Sequence, residues 1–491
     1  MYRKKNRTTE IARRTLVYTI MVLAVLTLLF VITFNMLGYQ YNLQTRTVEQ
    51  RGLVQYDSRP RSATVFVDGK ELGSRTQTKS MVDAGQHQFS MRLEGYDEWR
   101  KVMDIKPGTL TALSYVRLVP TERKVSVVKE LPAVSSARFS PDRRWALAVV
   151  PTERLPRLSW IDLRNNDEVK VVDQTIDAVL TGHEDEASKH ELRIIEWDLD
   201  SRYVLARHQY TLSDGTTGVQ WLRLDREGRE PVDISRLASL ELKDVRFIGG
   251  GGNELYVLQT SGELRRMAVN SATLSGPLLT RVASFSVYGT DYVAYVGTDE
   301  AAKRLAGIWK KEWQEPVIVR RLSEAEKDKP LFIEFARYFH KDALAVAVGA
   351  ETTVYYGDLG RSESELAQFY ATGKKMSAKS PLTALDMSYS GRFVMMRSSE
   401  GFMTYDIEHQ LVSQDAPLAA SARLDWLDDH HVWHLRDGML MMREYDGTNE
   451  TPLMAANELA AMPSSDEKSL YSFKTLDDGR VVLQRLKMTV N

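Results

Sequence analysis

The longest apolar run comes first. Residues 16–36, LVYTIMVLAVLTLLFVITFNM, carry no charge over 21 residues, and a helix needs roughly 20 such residues to cross about 30 Å of hydrocarbon. The hydrophobic period then changes. Ala63, Val65 and Val67 fall on one face of a strand, with Thr64 and Phe66 on the other, and Asp68-Gly69 follows. An Asp-Gly pair supplies the positive φ angles of a two-residue hairpin turn, so residues 70–73 read as the return strand and its stop. Asp83-Ala84-Gly85 makes a second turn before QHQFSMRL, where Phe89, Met91 and Leu93 alternate. Short alternating runs with no helical period over 52–120 predict a small β-sandwich.

From residue 123 a different unit recurs. A strand ends in an aromatic or large apolar residue, a polar turn follows, and a second, nearly continuous apolar strand begins. The units are ARFSPDRRWALAVV from Ala137, IIEWDLDSRYVLAR from Ile194, DVRFIGGGGNELYVLQ from Asp244 and SFSVYGTDYVAYVG from Ser284. They continue as IEFARYFHKDALAVAVG from Ile333, ALDMSYSGRFVMMRS from Ala384, RLDWLDDHHVWHLRDG from Arg423 and LAAMPSSDEKSLYSFK from Leu459. A third strand follows each, and a fourth follows most. A four-strand repeat of roughly 35–60 residues predicts a β-propeller. The count gives eight blades, with seven as the alternative because two units are weak. The last unit ends after its third strand, and RKVSVVKEL at 123–131 is available to complete it, which would close the ring and leave no open edge. The expected fold is all-β after one transmembrane helix. Its parts are a basic tail (1–15), the helix (16–36), a linker (37–51), the sandwich (52–120) and the propeller (123–491).

Charge orients this arrangement. Arg3, Lys4, Lys5, Arg7, Arg13 and Arg14 precede the apolar run against a single Glu10, and residues 37–44 carry no positive charge. The positive-inside rule then places the N-terminus in the cytoplasm and the domains outside, anchored in the cell membrane by a single pass. Tyr39 and Tyr41 suit the far interface. The rival reading is a cleaved signal peptide, whose apolar core is about 7–15 residues with a small-x-small site; FNMLGYQYN offers no such site. The 491-residue chain has a net charge of −1 and no cysteine. The first removes any global electrostatic case for nucleic acid. The second excludes disulfides, thiolate metal sites and cysteine nucleophiles.

Two resemblances follow. The 52–120 segment resembles the PEGA domain, a small extracytoplasmic β module, at Gly52, Ser58, Pro60, Ala63, Val65, Val67, Asp68, Gly69, Lys70, Gly73, Thr76, Ala84, Gly85, His87, Gly95 and Tyr96. It departs where PRSA replaces the naming P-E-G-A and where Gln77 takes a position at which proline is common. The resemblance implies an envelope spacer or adhesive element with no chemistry of its own. FSPDRRWALAVV is similar to the PD40 or TolB-like propeller repeats through Phe139, Ser140, Pro141, Asp142 and Trp145, with Arg143 in the usual glycine position.

A search for chemistry returns no catalytic residue, cofactor site or metal ligand. HEDEASKH spaces its histidines seven apart, whereas a zincin helix needs H-E-x-x-H. In HHVWH, His430 and His434 share one strand face while His431 points away, and tight metal sites gather three or four converging groups. GGGGN lies between strands instead of before a helix. Asp198 and Asp200 lack the glycine and glutamate of a calcium loop. His87 reads as structural. The connections from first to second strand are short, and those on the other face are long, so binding is expected among the long ones. The candidates there are His183, Asp185, His190, Asp214, Lys303, Arg304, Lys374 and Lys375.

These readings predict a non-catalytic, membrane-anchored protein of a bacterial cell envelope, whose extracytoplasmic propeller binds a protein, peptidoglycan or surface glycan. The alternative is a propeller enzyme acting on envelope glycans or peptides. It requires carboxylates or histidines from three or more blades in one axial pocket.

Overall fold

The computed structural model describes residues 7–36, 38–42, 47–153, 155–165, 169–176 and 187–490. It divides into two compact units, Met1–Glu122 with Thr489–Asn491, and Arg123–Met488.

The first unit opens with helix Arg7–Met36, whose Ile11–Phe34 portion has a mean hydropathy of 2.7 and buries nothing against protein. The hydroxyls of Thr15, Thr19 and Thr27 each donate to a carbonyl four residues back, at 2.8–3.0 Å. These three hydroxyls are thus satisfied within the helix, as hydrocarbon demands. The helix has the length and composition to cross a membrane, a test that a signal sequence also passes. A hairpin of Tyr39–Asn42 and Thr47–Gln50 follows.

Seven strands then form two sheets. One pairs Thr78–Val82 with Gly52–Arg59, and Gly52–Arg59 with Leu110–Arg117 in parallel. The other runs in the order Lys70–Arg75, Thr64–Val67, Gly85–Arg92, Trp99–Ile105. Alternation along Gly52–Arg59 buries Val54 and Tyr56, which meet Ala63, Val65, Phe89 and Met91 from the facing sheet. Asp68 and Gly69 turn the hairpin at φ +49° and +75°. Asp68 then accepts from the Gln88 N–H at 2.9 Å and pairs with His87 at 2.6 Å. His87 therefore braces the hairpin turn. Gly73 does not stop the return strand; it sits inside Lys70–Arg75 at φ +69°, beside a register shift between Thr64 and Phe66. Thr489 and Val490 belong to this unit and not to the propeller, and the Val490 N–H donates to the Tyr96 hydroxyl at 2.7 Å.

In the second unit, eight sheets follow one another among the described residues. Their first strands are Ser136–Phe139, Ala187–Trp197, Leu242–Phe247, Val282–Tyr288, Leu331–Tyr338, Leu382–Met387, Leu424–Trp426 and Ala461–Pro463. Seven are four-stranded antiparallel meanders, and the sixth carries a fifth strand, Ala416–Pro417. The eighth is completed out of sequence: Val125–Leu131 pairs antiparallel with Val481–Lys487. The second strands are sandwiched between neighbouring sheets, and several are nearly apolar on both faces, as in Trp145–Val150 and Lys341–Val348. Apolar cores join successive sheets. Trp160 of the first meets Val204 of the second, Tyr256 of the third meets Val293 of the fourth, and Phe393 of the sixth meets Trp426 of the seventh. Phe473 and Leu483 of the eighth pack on Ala137 and Ala146 of the first. This cyclic packing is the propeller.

Candidate functional site at the propeller axis

The first strand of each sheet is innermost, and its alternation assigns roles. One side chain enters the core between sheets and the next faces the axis. In six sheets the axial side chain immediately precedes the last large residue of the strand, and in the fourth and fifth the strand runs on beyond it. In sheet order these residues are Arg138, Glu196, Arg246, Ser286, Glu334, Asp386, Asp425 and Ala461. Asp244 lies two residues earlier on its strand, and Arg423 lies two residues before Asp425, just ahead of its strand. The axis is therefore charged, with the cations toward one side and Glu334, Asp386 and Asp425 consecutive on the other.

Most of these charges are neutralised locally. Glu196 accepts from the Phe247 N–H at 2.6 Å and lies 3.5 Å from Arg246, which also holds Asp244 at 3.2 Å. Arg423 grips Asp425 at 2.7 Å and donates to the Glu458 and Leu459 carbonyls at 2.7 Å. Glu334 and Asp386 have no cation within ion-pair distance among the described residues. Glu334 accepts from the Ser286 hydroxyl at 3.2 Å, and Asp386 from the Met387 N–H at 2.8 Å. Water reaches both from the channel, but protein rings them. That desolvation, reinforced by the neighbouring carboxylate, pushes Glu334 up to about 8 and Asp386 up to about 6.

Two cavities lie along the axis. One of about 500 Å³ is lined by Arg138, Glu196, Trp197, Arg423, Asp425, Trp426, Ala461 and residues of the first connections, including Pro141, Arg143, Tyr389 and Asp429. Another of about 410 Å³ is lined by Glu196, Arg246, Ser286, Glu334 and the connection residues Leu199, Gly249 and Gly289. Both open among the short connections from first to second strand. The large exposed apolar side chains of these connections are Leu199 (64 %), Phe339 (70 %) and Tyr389 (71 %). Carboxylates reach the larger cavity from the second and seventh sheets, and the smaller from the second and fifth. Neither lining includes a histidine.

The sequence-predicted candidates do not form one site. His183 and Asp185 lie outside the described residues. His190, Arg304, Lys374 and Lys375 are strand residues, not loop residues. Lys374–Ser377 pairs with Glu351–Gly357 because a fourth strand continues the sheet there. Arg304 donates to the Lys327 and Lys329 carbonyls at 3.0 and 2.8 Å. Asp214 caps its hairpin turn by accepting from the Thr216 N–H at 2.8 Å, and Lys303 closes a turn onto Asp299. His190 stacks on buried His208 with ring nitrogens 2.9 Å apart, and Gln220 and Asp233 continue the chain across the second sheet.

The histidines of HHVWH take separate partners: His431 bonds Asp428 at 2.9 Å and His434 bonds Glu450 at 3.0 Å. GGGGN is the turn between Leu242–Phe247 and Glu254–Gln259, and Asp198 caps its own turn by accepting from the N–H groups of Arg202 and Tyr203. Asp406, Glu408 and His409 converge, but around the Arg392 guanidinium, which lies 2.7 Å from Asp406 and 2.6 Å from Glu408. Burial raises the Asp406 carboxyl, and the hydrogen bonds from His409 and Arg392 outweigh it, holding the group at about 2.

The axial column was the signal that sequence reasoning missed. Aligning the eight strands on Phe139, Trp197, Phe247, Val287, Phe335, Met387, Trp426 and Met462 puts R, E, R, S, E, D, D and A in one column.

Residues 52–122 match the PEGA domain family. No curated protein matches the chain. Among solved structures, the chain is similar to the β-propeller domain of Myceliophteria thermophila Cps50 (Swd1), at 10 % identity over 74 % of this chain and 99 % of that one, with a TM-score of 0.39. It is similar to an oligogalacturonate lyase in complex with manganese, at 10 % identity over 74 % and 98 % of the two chains, with a TM-score of 0.40. A chain of a mitotic checkpoint complex aligns at 10 % identity over 75 % and 97 %, with a TM-score of 0.37.

Proposed function

We propose that this chain is a membrane-anchored, non-catalytic binding protein of a bacterial cell envelope. The PEGA domain serves as the membrane-proximal spacer, and the propeller takes an envelope protein, peptidoglycan or surface glycan at its axial funnel. The observation that carries this reading is the funnel itself: about 500 Å³, opening among short connections that expose Leu199, Phe339 and Tyr389. A concave cavity of this size that combines aromatic walls with converging polar groups is the usual place for a ligand. This reading assigns binding to the short-connection face instead of the long loops. The basic N-terminal flank supports an extracytoplasmic propeller.

The test is capture by the full chain in detergent, with a Leu199→Ser/Phe339→Ser/Tyr389→Ser variant beside it. A partner held by the wild type and lost by the folded variant supports the reading. Equal capture by both rejects the funnel face. Protease added to intact cells should remove the propeller, and protection would reject the orientation.

One observation favours a second reading. Glu334 and Asp386 carry raised proton affinities on adjacent strands, the pattern of an acid/base pair. Turnover of envelope glycans or peptides that is abolished by Glu334→Gln would establish that reading.

A further inference from the structure

The axial ring is incomplete at one position. Seven of its eight places carry a charged or hydroxyl side chain, and the eighth carries the methyl of Ala461. The neighbouring place, on the first sheet, is Arg138. Among the described residues, no side chain or carbonyl lies within hydrogen-bond or ion-pair distance of its guanidinium. The acids that share its cavity are already engaged. Glu196 is held by Arg246 and the Phe247 N–H, Asp425 by Arg423, and Asp429 accepts from the Ser390 N–H at 2.6 Å. Arg143, at the rim, pairs with Glu467 at 3.4 Å. Protein rings the guanidinium of Arg138 although its side chain stays open to the channel; that desolvation, then repulsion from Arg423, lowers its proton affinity below the ordinary value, and the nearby Asp425 and Glu196 oppose part of the shift. The indole N–H of Trp197, buried in the same lining, also has no acceptor.

We infer that the cavity beside Ala461 is a carboxylate site: a ligand carboxylate occupies the place of the missing eighth side chain, receives the Arg138 guanidinium, and lays a ring-shaped body against Trp197, Trp426 and Tyr389. This rests on the funnel being the ligand site. A guanidinium meets a carboxylate through two parallel N–H bonds, and the aromatic walls suit a flat or ring-shaped body. Glu196, Asp425 and Asp429 surround the place with negative charge, which disfavours a doubly charged phosphate and leaves the singly charged carboxylate. A sugar acid and an aromatic acid share this chemistry, so both are tested.

Ligand-observed saturation-transfer NMR on the full chain in detergent would compare glucuronate with glucuronamide, and benzoate with benzamide. At least one carboxylate should bind tenfold or more tightly than its amide. Arg138→Gln should bring that ratio to about one while the amide is unaffected, and Arg138→Lys should restore part of it. Ala461→Glu supplies an internal carboxylate and should abolish binding of both members of the pair. Melting temperatures within a few degrees of wild type confirm that each variant folds. Equal affinity for acid and amide in the wild type, a ratio that survives Arg138→Gln, or no carboxylate binding at all overturns the inference. Amide binding that is lost only in Ala461→Glu overturns the carboxylate while leaving the funnel as the ligand site. Wild-type binding that survives Ala461→Glu overturns both.

Discussion

Glu334→Gln tests whether the axis desolvates its acids as the geometry requires. The carboxyl rises from 4.5 to about 8 on folding, first through burial and then through the nearby Asp386. Below pH ~4.5 it is protonated in the folded and unfolded chains alike, and its full contribution to stability is present. Between that value and about 8 the unfolded chain releases the proton and the folded chain keeps it. Stability therefore falls as pH rises, and the loss is complete above the folded value. The whole span corresponds to about 5 kcal/mol. Channel water and rearrangement of Ser286 relieve part of it, so about 2 kcal/mol is expected to appear. For a unit of about 370 residues, that is roughly 2–3 °C in melting temperature. Glutamine keeps the shape and the bond to Ser286 but never ionises. The assay is differential scanning fluorimetry of the full chain in detergent, wild type against variant, from pH 5 to pH 8.5. The melting temperature of the variant minus that of the wild type should grow by about 2–3 °C across the range. Asp386→Asn should show the same trend, complete near pH 7 because Asp386 rises only to about 6. A difference that is flat with pH, or that shrinks as pH rises, would refute the desolvation argument.

Arg392→Ala should strand the buried Asp406 carboxylate at a cost of about 3–5 kcal/mol. That lowers the melting temperature of the propeller by about 4–6 °C; a fall of under about 1 °C would mean that the cluster around Asp406 is solvated. Replacing Val125–Leu131 with a Gly-Ser segment of equal length should open the eighth sheet along Val481–Lys487. Limited proteolysis should then cleave between Leu459 and Met488 first, and unchanged resistance would show that the strand does not close the ring. Leu23→Arg/Leu26→Arg adds about 5–7 kcal/mol to insertion of the apolar helix. Alkaline carbonate should release the variant from membranes and leave the wild type behind, whereas retention of both would mean that another element provides the anchor.

Much of the architecture was legible because short-range chemistry decides it. Asp68-Gly69 forces the hairpin through its positive φ angles, whatever surrounds it. The 21 uncharged residues at 16–36 specify a membrane-length helix by themselves. Doubly apolar second strands such as Lys341–Val348 show that both faces of each sheet are covered. The open edge left after Ser469–Thr475 and Val481–Lys487 requires a partner strand, and Val125–Leu131 is it.

The candidate binding face was not legible in the same way. Loop length pointed to one face of the propeller, yet several of those residues proved to be strand. Lys374 and Lys375 extend a sheet, and Arg304 caps the carbonyls of Lys327 and Lys329. The axial column was present in the repeats, but a polar residue alternating in a strand reads equally well as one facing open water. Only closure of the ring turns those eight positions inward, side by side. There the same carboxyl that would be an ordinary surface acid is desolvated, as at Glu334, or paired across sheets, as Glu196 is with Arg246. The sequence determined the strands, the turns and the need for closure, because each depends on neighbours within a few residues. The tertiary structure alone decided which charges meet and that Arg138 has no partner beside Ala461, because those relations join residues fifty to more than three hundred positions apart.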